Sequence, residues 1–147
     1  REFHHTIKGY DKAPSAVKKA KDNIKNANLD DYISIEENNF FDTEKSTEGK
    51  LHLVFNPPYD ERLDIHMEEF YKSIGDTLKK NYPGTNAWMI TANLEALKYV
   101  GLKPSRKIKL FNAGLEARLV KYEMYEGSKR TKFQVADGNN TASDSSI

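Results

Sequence analysis

The sequence LHLVFNPPY occupies residues 51–59 and decides which kind of fold the chain can adopt. Residues 51–55 are almost continuously apolar, a pattern typical of a strand that is buried on both faces of a sheet. The motif Asn-Pro-Pro-Tyr follows this strand directly. In open α/β sheets, ligands bind at the carboxyl ends of strands, so the position predicts a functional site. The alternative is a rigid proline turn that only redirects the chain as it leaves the strand.

The residues on either side of this motif predict an alternation of strands and helices. Apolar patterning predicts further strands at residues 6–10, 32–36, 87–91, 107–111 and 115–125. Apolar residues at helical spacing predict helices at residues 13–27 and 67–78, and a short one after Asn93 that stops before Gly101. We therefore expect an α/β fold with a mainly parallel sheet covered by helices on both faces, and a C-terminal antiparallel hairpin at its edge.

Composition excludes several classes of protein. The 147 residues contain no cysteine, which excludes a disulfide scaffold, a thiolate metal site and a cysteine nucleophile. The four histidines lack metal-ligand spacing, so no metal is expected. The chain shows neither a signal peptide nor an apolar run near the roughly 18 residues of a membrane span, so we expect a cytoplasmic protein without a membrane partner.

Charge is balanced overall but unevenly distributed. The net charge is +1, yet residues 30–69 hold 12 acidic and 3 basic side chains, whereas residues 98–132 hold 10 basic and 3 acidic ones. The basic stretch includes Lys103, Arg106, Lys107 and Lys109. These side chains could contact the phosphates of a nucleic acid, or they could simply form a solvated edge of the hairpin.

The residue types in the motif suit the methylation of an amine on a nucleobase. Such an amine is a poor nucleophile because its lone pair is delocalised into the ring. The side-chain oxygen of Asn56 and the carbonyl of Pro57 could both accept hydrogen bonds from the amine and direct its lone pair at an electrophile. Pro57 and Pro58 together fix the backbone, and Tyr59 can stack on the base.

A motif of this type after a buried strand resembles the signature of S-adenosylmethionine-dependent methyltransferases that act on adenine N6, guanine N2 or cytosine N4. The longer stretch NPPYDERL at residues 56–63 resembles the bacterial 23S ribosomal RNA guanine-N2 methyltransferase family, and so do segments 88–95, 101–107, 112–116 and 121–123. This resemblance covers residues 6–127. It implies a Rossmann-like class I methyltransferase fold, S-adenosyl-L-methionine as cofactor, RNA (23S ribosomal RNA) as partner, and an upstream RNA-binding THUMP domain.

The resemblance also implies cofactor-binding residues. Asp11, with Lys12 beside it, matches the acidic position that binds the ribose hydroxyls of the cofactor. Asn39 matches the position that contacts the adenine amino group, and Phe40 could pack on the adenine ring. Each has a structural alternative: Asp11 as a charge at a helix N-terminus, Asn39 as a loop cap and Phe40 as a core residue.

One part of the family pattern is missing from the chain. No Gly-x-Gly sequence occurs, although the family places a glycine-rich turn after a first strand. We therefore expect an N-terminally truncated methyltransferase domain over residues 1–127, inactive by itself, and a disordered tail over residues 128–147. The rival interpretations are a DNA adenine methyltransferase and a non-catalytic RNA-interaction module.

Overall fold

The structure is a computed structural model that describes residues 2–58 and 64–126. The chain forms two compact units, residues 1–43 and residues 44–147. The predicted disordered tail, residues 128–147, lies outside the described residues. Within the described part, no helix has the length and apolar character needed to cross a bilayer.

The first unit is a strand–helix–strand arrangement. Strand β1 (Ile7–Asp11) lies parallel to strand β2 (Ile33–Glu37), and helix α1 (Pro14–Asn26) connects them. Pro14 occupies the first turn of α1, where its missing N–H costs nothing because those donors have no intrahelical partner. The three elements match the sequence-based prediction closely.

The second unit contains a four-stranded mixed sheet. Its elements are β3 (Leu51–Phe55), α2 (Ile65–Asn81), β4 (Thr85–Thr91), β5 (Arg106–Asn112) and β6 (Leu115–Glu123). The strand order is β3-β4-β6-β5, with β3 and β4 parallel and the other two pairs antiparallel. Ala113 and Gly114 both have positive φ, as the two-residue turn of a tight hairpin requires. The C-terminal antiparallel hairpin is thus confirmed.

The core of the second unit lies between α2 and one face of this sheet. The strand residues on that face are almost completely inaccessible, and they include Ala87, Met89, Val120 and Tyr122. Helix α2 contributes Tyr71, Ile74 and Leu78, which are equally buried. The apolar stripe predicted from the sequence therefore forms the helix–sheet contact.

The prediction that β3 is buried on both faces is wrong. Leu51, Leu53 and Phe55 are half-buried on the α2 side, but His52 is exposed and Val54 is 72% exposed on the opposite face. Within the described residues of the second unit, α2 is the only α-helix, and it packs on the other face. The apolar sequence of β3 would allow burial on both faces. Burial also requires an element that packs on each face, and in the second unit α2 packs on one face only.

Candidate active site at the carboxyl end of the parallel strands

The motif begins at the residue after β3, as the sequence predicted. Pro57 is buried, whereas Asn56 and Pro58 are exposed. The buried proline holds the turn against the protein, and its ring fixes the backbone on which Asn56 stands. Across the described residues, the Asn56 amide has no hydrogen-bond partner, so both its oxygen and its NH₂ group are free to bind a ligand. Tyr59 lies outside the described residues.

The loop after β4 lies at the same edge of the sheet, because β3 and β4 are adjacent and parallel. The hydroxyl of Thr91 accepts a hydrogen bond from the backbone N–H of Asn93 at 3.0 Å and lies 2.5 Å from the hydroxyl of Tyr71 on α2. The side-chain oxygen of Asn93 accepts from the backbone N–H of Ala96 at 3.1 Å, and Ala96 is the first residue of a short 3-10 helix, Ala96–Tyr99. These bonds give the loop next to the motif a defined shape.

Sequence reasoning placed a short helix after Asn93, which the structure contains as the 3-10 helix, but it missed the hydrogen bond between Tyr71 and Thr91. Tyr71 belongs to the apolar stripe of α2 and is completely buried. A buried tyrosine hydroxyl normally has a hydrogen-bond partner, which was the available signal. The sequence contained nothing that selected Thr91 among the polar residues near the ends of other strands.

In the first unit, the structure brings Asp11 and the loop after β2 together. Asp11 ends β1, and its carbonyl accepts a hydrogen bond from the backbone N–H of Asn38 at 2.9 Å. The carboxylate of Asp11 accepts from the N–H of Ala13 at 2.8 Å, just before α1. Asp11 and Lys12 are both exposed. The carboxylate of Asp11 thus bonds to the N–H of Ala13, the residue before α1, and not to an N–H of the helix itself, and it stays accessible to solvent.

Asn39 and Phe40 are partly engaged by their own loop. The side-chain oxygen of Asn39 accepts from the backbone N–H of Phe41 at 3.1 Å and caps a 3-10 turn, Phe40–Asp42. Phe40 is half-buried and meets the Phe41 ring edge-on, with ring centres 5.5 Å apart. The Asn39 oxygen keeps a second lone pair and its NH₂ group remains a donor, so capping does not use up the side chain.

Within the described residues, no group of three or more His, Asp or Glu side chains could hold a metal ion. The candidate site residues thus fall into two sets. Asn56, Pro57 and Pro58 lie in the second unit, and Asp11, Lys12, Asn39 and Phe40 lie in the first. Each set lies at the carboxyl ends of parallel strands, which is where α/β folds bind their ligands.

Comparison with known proteins gives a consistent result. The family model described as "RMKL-like, methyltransferase domain" matches residues 1–121. A curated relative, the ribosomal RNA large subunit methyltransferase K/L of Hahella chejuensis, is 32% identical over 129 residues. That match covers 85% of this chain but only 18% of the relative, so the chain spans less than a fifth of the length of that protein.

Two solved structures show the same fold. SMU.472, described as a putative methyltransferase complexed with SAH, matches with a TM-score of 0.71 and 25% identity, over 82% of this chain and 32% of the other. A predicted N6-adenine-specific DNA methylase from Listeria monocytogenes matches with a TM-score of 0.65 and 27% identity, over 80% of this chain and 30% of the other. The predicted Rossmann-like class I methyltransferase fold is thereby confirmed.

Proposed function

The chain belongs to the family of RMKL-like methyltransferase domains, and from this premise we propose that it is the part of an S-adenosylmethionine-dependent RNA methyltransferase that orients the target amine. The finer proposal is methylation of guanine N2 in 23S ribosomal RNA. The observation that carries the proposal is the exposed, unpartnered amide of Asn56, which stands on a buried proline directly after a parallel strand.

The residues of the motif would act on the target amine through hydrogen bonds. The two N–H groups of the amine donate hydrogen bonds to the side-chain oxygen of Asn56 and to the carbonyl oxygen of Pro57. These bonds direct the lone pair of the nitrogen out of the plane of the base. The nitrogen gains positive charge during the reaction, so these two oxygens also stabilise the transition state more than the ground state. Tyr59 supplies a ring on which the extruded base can stack.

The first unit offers groups that fit the nucleoside end of the cofactor. The exposed carboxylate of Asp11 can accept hydrogen bonds from ribose hydroxyls, and Lys12 lies beside it. The amide of Asn39 and the half-buried ring of Phe40 suit an adenine base. When bound, S-adenosylmethionine would supply an activated methyl group to the amine, and the methylated nitrogen would release one proton to water.

A DNA adenine-N6 methyltransferase is the second candidate. The similarity to a predicted N6-adenine-specific DNA methylase favours it. Asn56 and Pro57 would orient an adenine amine as well as a guanine amine, since both are planar exocyclic NH₂ groups. Methyl transfer to 23S ribosomal RNA, compared with transfer to duplex DNA by the same preparation, separates these two functions. The predicted cytoplasmic location and upstream RNA-binding domain remain predictions.

The substitution Asn56→Ala in the natural protein tests the role of the motif. We expect the rate of methyl transfer to RNA to fall by about a hundredfold, the usual effect of losing one transition-state hydrogen bond. Cofactor affinity should change far less, because Asn56 contacts the amine rather than the cofactor. Asn23→Ala makes the same chemical change on the exposed surface of α1 and should leave turnover unchanged. Normal turnover in Asn56→Ala would refute the proposed role.

A further inference from the structure

The exposed edge strand of the second unit carries an unusual row of side chains. Lys107, Lys109 and Phe111 alternate along β5, so they lie on one face of the sheet, and all three are exposed. The side chain of Phe111 is 66% exposed. The ammonium nitrogen of Lys109 lies 5.9 Å from the centre of the Phe111 ring. A large apolar ring with one lysine beside it and a second lysine further along the strand is thus presented to solvent.

The strand register places this row at the same end of the sheet as Asn56, although β5 and β3 form its two opposite edges. Thr91 of β4 pairs with Arg118 of β6, and Arg118 pairs with Lys109. Because β3 ends at Phe55, opposite Met89, the pair at Thr91 lies just past the end of β3, on the side of Asn56. Strands are spaced about 4.8 Å apart, so β5 lies roughly 14 Å from β3 across the sheet. That distance corresponds to a few nucleotides rather than to the target base itself.

The charge on this face favours a polyanion. Glu116 is the one acidic side chain that the hairpin strands β5 and β6 place on this face. Both Arg118 and Lys109 form salt bridges with its carboxylate. The three cations Lys107, Lys109 and Arg118 together with the anion Glu116 give this face a net charge of +2. In this arrangement Glu116 neutralises one cation and leaves the others available to phosphates.

Protection of the edge strand is the simpler explanation for the lysines. Lysines on an edge strand prevent it from pairing with strands of other molecules. This accounts for Lys107 and Lys109 but not for an exposed phenylalanine beside them, since an apolar ring on an edge promotes association. Phe111 therefore distinguishes a ligand-binding surface from a merely protected edge.

We infer that the face of the β5–β6 hairpin formed by Lys107, Lys109 and Phe111 binds single-stranded RNA next to the target base. Phe111 stacks on one unpaired base, and the two lysines bind the neighbouring phosphates. Proteins bind single strands through this combination of aromatic rings and basic side chains. The inference deepens the proposed function and rests on it, because it takes the substrate to be RNA whose target region is unpaired.

The test measures the binding of a fluorescent oligouridylate of about 12 nucleotides, within the usual site size of a single-strand-binding fold, to the 147-residue chain by fluorescence anisotropy. Phe111→Ala should weaken binding by about fivefold to a hundredfold, the loss expected for one stacked base. The double variant Lys107→Gln/Lys109→Gln should also weaken binding. It should lower the slope of log affinity against log salt by about 1.4, since each phosphate contact on a single strand contributes about 0.7.

Matched controls lie elsewhere in the same unit. The side chain of Tyr125 is also 66% exposed but follows the other end of β6, so Tyr125→Ala should bind like the wild type. Lys72→Gln/Lys80→Gln removes two exposed lysines of α2 and should leave the salt slope unchanged. Thermal unfolding of each variant verifies that it is folded, and since Phe111 is exposed its loss should not lower the melting temperature.

Several results would overturn the inference. These are no binding by the wild type, equal binding by Phe111→Ala, equal losses in the control variants, or tighter binding of duplex DNA than of the oligouridylate. Failure of the proposed function would look different. If the hairpin binds RNA but the natural protein methylates none, the proposed function fails and the surface stands. If Phe111→Ala methylates RNA as well as the wild type does and binds it equally, only the hairpin inference fails.

Discussion

Gly75 shows how a single residue allows two elements to meet. It lies in the interior of α2 and is buried, and a Cβ atom added to it would collide with the backbone carbonyl oxygen of Val100. Alanine is normally the better helix former by about 1 kcal/mol. At Gly75 the contact with the Val100 carbonyl outweighs the higher helix propensity of alanine. A backbone carbonyl cannot move aside as the end of a flexible side chain can.

The substitution Gly75→Ala should therefore destabilise the protein. We expect a loss of about 1–3 kcal/mol, typical of overpacking in a core, and a melting temperature lower by several degrees when unfolding is followed by circular dichroism. Gly49→Ala is the matched control, since the nearest atom to its added Cβ is the hydroxyl oxygen of Thr47 at 3.9 Å. A melting temperature for Gly75→Ala at or above that of the wild type would contradict the close contact.

At the scale of elements, the β5–β6 hairpin carries its own electrostatic organisation. The hydrogen bond from Arg118 holds the pKa of Glu116 below its ordinary value, and Lys109 adds to the effect. A lowered pKa in the folded state means that the carboxylate stabilises the fold above its unfolded pKa and loses this effect as pH falls through the folded pKa. Because Glu116 is at the surface, the consequence is seen in its titration rather than in global stability.

Arg118→Gln should raise the pKa of Glu116 towards its ordinary value, as measured by the pH dependence of its side-chain carboxyl NMR signal. Lys121→Gln on the same strand is the reciprocal control. The pKa of Glu123 is lowered by a hydrogen bond from Ser105 and by Lys121, so this variant should shift Glu123 and not Glu116. An unchanged Glu116 midpoint in Arg118→Gln would show that the ion pair does not persist in solution.

The sequence predicted the positions of strands, helices and turns better than it predicted which of their side chains are buried and which other elements they contact. Strand β3 and the turn at residues 113–114 follow from local patterning, and the structure places both where they were expected. The exposure of Val54 could not be predicted, because burial depends on which element covers a strand, not on its own residues. The close contact of Gly75 could not be predicted either, since its partner Val100 comes 25 residues later in the chain, after β4, at the end of the short 3-10 helix. At the site, the position of Asn56 was predictable, but the pairing of two hydroxyls from distant elements was not.

At the scale of the whole molecule, the packing of α2 on the sheet should make stability sensitive to alkali. Tyr122 is only 1% exposed, and burial, reinforced by the nearby Tyr71, raises its pKa to about 12. In the unfolded chain the Tyr122 hydroxyl ionises near pH 10. Between about pH 10 and 12 unfolding therefore releases the proton of this hydroxyl, and the free energy of unfolding falls as pH rises through this range. Denaturant unfolding over this range should show the decline. Tyr122→Phe, which cannot ionise, should have a flatter profile, and an equally steep one would assign the decline to other groups.

Cofactor binding depends on more of the molecule than the residues that touch the nucleoside. A dissociation constant of 1 μM requires about 8 kcal/mol. Hydrogen bonds to a charged group contribute about 1.5–3 kcal/mol each, so two ribose bonds to Asp11 would supply only about 3–6 kcal/mol. The chain contains no Gly-x-Gly turn to hold the remainder of the cofactor.

We therefore expect the 147-residue chain to bind S-adenosylmethionine more weakly than micromolar in a calorimetric titration, with no rise in melting temperature at micromolar cofactor. Asp11→Ala in the same chain should weaken binding further if the carboxylate holds the ribose, and Asp22→Ala, which removes an exposed carboxylate of α1, is the matched control. Micromolar binding by the 147-residue chain would show that residues outside the four assigned to the cofactor hold its methionine end.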